Sequence, residues 1–98
     1  MQTIKVGDKV KCFDFSDKVT GYIGTVLAVN VESRPNHNAP NGIYQFDCPR
    51  YAVQIEHAFD YKIKPESYPT LNAGKITYPP MNETKTTWGE TINNVERV

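Results

Sequence analysis

The clearest pattern in the chain is alternation. In the segment KVKCF, residues 9–13, Val10 and Cys12 alternate with Lys9 and Lys11, which is the two-residue period of a strand with one face turned inward. Ile4 and Val6 precede it, and Gly7-Asp8 supplies a turn between the two pieces. Phe13 and Phe15 fall on the opposite parity from Val10 and Cys12. Either the strand bends at a bulge here or two phenylalanines face outward. After a polar hairpin loop, SDKVTG, comes YIGTVLAVNV, rich in β-branched residues. Neither parity of that run is cleanly polar, which predicts a strand that is covered on both sides or strongly bent. Gly21 is expected to end the loop. Gly24 is expected to let the strand bend and leave room for a neighbouring backbone.

A polar connection follows, with Pro35, Pro40 and the turn pair Asn41-Gly42. It predicts a long loop over 33–42. IYQFD reads as a short strand, with Pro49 marking a break before the next one. RYAVQIEHAF alternates cleanly, Tyr51, Val53 and Ile55 on one face and Gln54 and Glu56 on the other. YKIK and KITY read as short strands, LNAG as a turn, and a turn of helix is allowed around 57–67. From Tyr78 onward the chain is polar and broken by prolines, with the single Trp88 in its midst. A lone tryptophan in such a tail either anchors the tail on the body or offers an anchor to a partner. The expected organisation is a small β-barrel domain over 1–78 and a C-terminal extension, 79–98, that packs on it or docks a partner.

Composition narrows the picture. The 98 residues carry 11% aromatics, 7 prolines and 6 glycines, a balance that favours strands and turns, and their length makes one domain with a small core. The 11 basic and 11 acidic side chains cancel, and they are evenly distributed along the chain. A protein that holds duplex nucleic acid by counterion release carries a basic excess, and none is visible in one dimension. The opening residues lack a basic-then-apolar leader and no run reaches membrane-spanning length. These features, with only two cysteines, Cys12 and Cys48, read as a soluble cytosolic protein with reduced thiols.

The stretch VGDKVKCFDFSDKVTGYIGTV resembles the KOW motif region of small SH3-like barrels, which pairs a Gly-Asp opening and alternating valines with a later Gly-x-x-Gly-x-Val. Gly7, Asp8, Val10, Gly21, Gly24 and Val26 match it, within residues 6–29. The resemblance implies an all-β fold, a partly open five-stranded barrel, and binding of RNA, DNA or protein in transcription and translation machinery. The even charge and the tail lie outside that pattern. Compact barrels with unusual loops and tails also occur among small accessory proteins of bacteriophages, an origin that would place the chain in a host cytoplasm.

Candidate chemistry is sparse. Cys12, His37, Cys48 and His57 are the zinc-ligand types present, but no two are closer than nine positions, whereas zinc half-sites come as close pairs. No nucleophile elbow or phosphate-cradling glycine loop occurs, so neither enzyme activity nor a cofactor is expected. Aromatics interleaved with cations are the more informative feature. Lys11, Phe13, Phe15, Lys18, Tyr22, Arg50 and Trp88 form the expected binding set, since rings beside cations stack on bases or guanidinium groups. The expected function is a non-catalytic binding module that docks on a protein, with nucleic acid second. A homo-oligomeric structural or assembly protein is the competing class.

Overall fold

The computed structural model describes residues 4–14, 19–62, 67–81, 84–85, 91–92 and 94–98. Phe15, Lys18 and Trp88, and residues 63–64 of the expected YKIK strand, lie outside them. The alternating opening segment forms β1, Lys9–Phe13. It pairs antiparallel with β2, Thr20–Pro35, which in turn pairs with β3, Ile43–Asp60. On the outer side of β3 lie two short strands, β4 (Tyr68–Pro69) and β5 (Ile76–Thr77). Thr84–Lys85 (β6) and Thr91–Ile92 (β7) pair with each other. The last strand, β8 (Val95–Arg97), adds to the free side of β1.

The protein is therefore all-β, with a six-stranded antiparallel sheet in the order β4-β3-β2-β1-β8 and β5 also on β3. The sheet is not closed, and it has six strands where five were expected. No helix occurs among the described residues, so the turn of helix around 57–67 is replaced by strand up to Asp60 and a turn at Tyr61 and Lys62. Residues 95–97 belong to the main sheet, and Val95 is buried in its core.

One register shift organises the core. Gly24 pairs with Ile55 while Ile23 pairs with His57, so Glu56 is an extra residue in β3. A one-residue insertion exchanges the faces of everything beyond it. On the near side of the bulge, Val10, Val26, Tyr51 and Val53 pack together with Cys12 and Val95. On the far side, Phe59 turns to the opposite face, fully buried, and Phe13 meets its ring edge-on at 5.9 Å. β1 has no bulge of its own: Phe13 stays on the second face, and the bulge in β3 brings an aromatic partner to that face. Val10, Val26 and Val53 are essentially sealed from water. Each contributes about 2 kcal/mol by burial.

The two central glycines are explained by space rather than dihedral freedom. A Cβ on Gly24 would lie 2.2 Å from the Gln54 carbonyl oxygen and 2.8 Å from a Val53 methyl. A Cβ on Gly21 would lie 2.0 Å from the Cys12 carbonyl oxygen. Gly21 does not end the loop. It sits inside β2, paired with Phe13 on one side and Phe59 on the other.

Beyond the Val31–Arg50 pair the strands β2 and β3 leave the core and continue as a two-stranded arm. The expected loop over 33–42 is shorter: Ser33, Arg34 and Pro35 belong to β2 and pair with Gln45, Tyr44 and Ile43. The Asn36 N–H donates to the Gly42 carbonyl at 2.9 Å and closes the tip. Pro49 does not break β3. The register jumps from Ser33–Gln45 to Val31–Arg50, so Pro49 lies in an enlarged bulge opposite Glu32, where the ladder asks for no donor. A second irregularity lies at Asn30, whose φ is +56°. Asparagine tolerates this region better than most side chains.

Candidate docking surface

The arm carries the most exposed aromatic chemistry of the described residues. Tyr44 lies in the regular part of the hairpin, and Phe46 is the first residue of the enlarged bulge that follows Gln45. Their rings meet edge-on at 5.7 Å, and Phe46 lies 5.3 Å from Tyr78. Arginines cap both ends of the row. The Arg34 guanidinium lies 5.2 Å from the centre of the Tyr44 ring, and the Arg50 guanidinium 4.9 Å from that of Phe46. Tyr44 is 49% exposed and Ile43 beside it 41%. These are large apolar groups on an arm that has no core beneath it.

Arg50 is fixed rather than free. Its Nη1 donates to the Tyr78 carbonyl oxygen at 2.9 Å and its Nη2 to Asp47 Oδ1 at 3.4 Å. That hydrogen bond holds the Asp47 carboxyl below the usual carboxylate value. A bridge between Arg50 and Pro80, with Tyr51 donating to the Pro79 carbonyl and Met81 to that of Pro49, straps residues 79–81 to the base of the arm. Arg34 has a different setting. It projects from the exposed part of β2, and its side chain meets the Tyr44 ring and, at 3.5 Å, the Pro35 carbonyl.

The other expected site residues lie elsewhere. Lys11 Nζ donates to the Tyr61 hydroxyl at 2.7 Å and sits 5.3 Å from the Tyr61 ring centre and 5.8 Å from that of Phe59. Its charge is spent on an internal aromatic pair, with Phe13 alongside. Tyr22 is on the opposite face, its hydroxyl accepting from Asn72 Nδ2 at 2.8 Å. It borders a shallow cleft of about 230 Å³ between Asp14, Thr20, Ala58, Asp60 and Tyr68. The structure therefore divides Lys11 with Phe13, Tyr22, and Arg50 among three places. Arg34, Tyr44 and Phe46 complete the row around Arg50. The sequence did carry a signal for them, an aromatic-x-aromatic pair inside a polar stretch, but the pairing of Arg34 with Tyr44 depends on the hairpin register.

Two further features bear on chemistry. Glu56, the bulge residue, forms an ion pair with Lys9 and accepts from Thr25 Oγ1 at 2.7 Å. Those hydrogen bonds lower its pKa from the ordinary 4.5. Burial, with the nearby Asp14 charge, pushes the Cys12 thiol up to about 12, so it remains a protonated core group at neutral pH. Among the described residues no three His, Cys, Asp or Glu side chains gather as metal ligands would. No helix among them is long and apolar enough to cross a membrane.

Fold and surface together define an all-β protein with an open antiparallel sheet and a projecting aromatic arm. No protein family, curated protein or solved structure matches the chain.

Proposed function

We propose that this chain is a non-catalytic binding module, akin in its N-terminal ribbon to KOW-type SH3-like barrels, whose β2–β3 arm docks on a protein partner. The observation that carries the reading is the row Arg34, Tyr44, Phe46, Arg50, joined by ring and guanidinium contacts on an arm that has left the core. Aromatic and arginine side chains are the residue types that dominate protein-binding energy. The base of the row is held by the hydrogen bonds of Arg50 to Tyr78 and Asp47, and a preorganised surface loses less entropy on binding. Charge favours protein over nucleic acid. Glu32 and Asp47 balance Arg34 and Arg50 on the arm, and Arg50 already serves Asp47.

The test compares the intact protein with Tyr44→Ala and Arg34→Ala in affinity capture from its native source, with partners quantified by mass spectrometry. Both variants should lose the same partner while keeping the parent melting temperature. Equal recovery by parent and variants would refute docking through the arm. A labelled single-stranded 20-mer, titrated at low salt, serves as the second arm of the experiment. Tight binding that weakens steeply with salt would replace the protein partner with a nucleic acid. Removing the tail is a poorer test, because it takes away β8 and uncovers Val10 and Cys12.

A further inference from the structure

We infer that two copies of this chain pair through the outer edge of the arm, along residues 32–35 of β2, in a two-fold arrangement centred on Ser33. The inference stands independently of the protein-docking reading.

The outer edge of β2 is used only at its base. β1 covers β2 as far as Thr25, and Gly7 and Asp8 reach Val26. Beyond that, β2 keeps β3 on one side, while on the other, among the described residues, its backbone meets only the Met81 sulfur at Asn30. The direction of the free groups follows from the hairpin. Asn36 donates its N–H towards β3, so by alternation Arg34 also faces β3 and Ser33 turns its N–H and C=O outward, whereas Val31, beyond the register shift, turns its groups to Arg50 of β3, since Tyr51 N–H and the Pro49 carbonyl are taken by residues 79–81. Gln45 Nε2 donates to the Glu32 carbonyl at 3.0 Å, so that carbonyl also faces β3. The open run is short and bounded, by the Val31–Arg50 pair at one end and by the missing donor of Pro35 at the other.

Charge then selects both the occupant and the register. Glu32 and Arg34 share one face of β2, both exposed. In an antiparallel pair of identical strands centred on Ser33, Glu32 of each copy lies opposite Arg34 of the other. These are the non-hydrogen-bonded positions, where side chains approach most closely. Ser33 exchanges both its backbone bonds with its own counterpart. A centre at Glu32 sets two carboxylates face to face, and a centre at Arg34 sets two guanidinium groups face to face. Only the Ser33 centre makes two reciprocal ion pairs, and a self-complementary patch is what a two-fold dimer requires. The seam also joins the two arms edge to edge, so their aromatic rows lie on one continuous face.

Sedimentation of the full chain from about 10 µM to about 1 mM should show reversible dimerisation, the range expected of a short seam. Glu32→Arg alone and Arg34→Glu alone should each weaken it about tenfold or more, because each creates like charges across the seam. The double exchange, Glu32→Arg with Arg34→Glu, should restore it. Dilution should shift the amide resonance of Ser33 more than those of the core. All three variants alter exposed side chains, and an unchanged melting temperature verifies that they fold. A chain that stays monomeric throughout the range overturns the inference. So does a double exchange that folds but fails to recover dimerisation, or dilution shifts that map to another surface.

Discussion

At the scale of single residues, the closest constraints are the two glycines through which β2 passes its neighbours. Gly24→Ala drives a methyl group onto the Gln54 carbonyl and the Val53 side chain. The expected loss is about 2–3 kcal/mol in urea unfolding, and an unchanged midpoint would mean the strands are farther apart than described. Glu56 gives a pH-dependent expectation. Its folded pKa lies below the ordinary 4.5, so its contribution is complete above that value and is lost as pH falls through the lowered folded pKa. Glu56→Gln should therefore flatten the acid limb of stability against pH, measured by denaturant unfolding from pH 7 down to pH 3. The thiols offer a third check. With the Cys12 thiol pushed up to about 12, a thiol-specific reagent at neutral pH should label the half-buried Cys48 in the native protein and Cys12 only after unfolding. Equal native rates would contradict the packing of Cys12 against Val10 and Val95.

Among elements, what could be read in advance follows from periodicity. Val10 and Cys12, and Tyr51, Val53 and Ile55, are set by a two-residue alternation that sequence displays directly. The bulge at Glu56 was not legible, because alternation breaks at His57-Ala58-Phe59 without any glycine or proline to mark it. The arm was misread as a loop for the opposite reason. Its turn-forming residues, Pro35, Asn36 and Asn38, are those of a loop, yet proline at the outward-facing end of a strand gives up no ladder bond. The row of Arg34, Tyr44, Phe46 and Arg50 required knowing that the hairpin closes between Asn36 and Gly42 and that four residues of β3 loop out opposite Glu32. Composition alone cannot provide a register. The elements should differ in stability accordingly. Amide exchange should be slowest at Val26, Val53 and Ile55, in the buried part of β2 and β3, and fast from Glu32 to Gln45, where both faces of the ribbon meet water. Uniform protection along the whole hairpin would show that the arm is covered.

On the scale of the whole molecule, the sheet is held at both margins by distant segments. β4 and β5 line β3, and β8 lines β1, with Val95 reaching the same cluster as Val10 and Cys12. Val95→Ala should cost about 2 kcal/mol, a loss read by thermal unfolding that a dispensable tail would not show. The pairing of β1 with β8 also has a mechanical meaning. Lys9 and Val98, joined by a hydrogen bond of 2.9 Å, mark the same end of that antiparallel pair. A load applied between the two ends of the described chain opens this ladder one rung at a time, as a zipper, instead of shearing all its bonds together. In an optical trap the protein should yield at low force, with the terminal strand peeling away before the central hairpin gives.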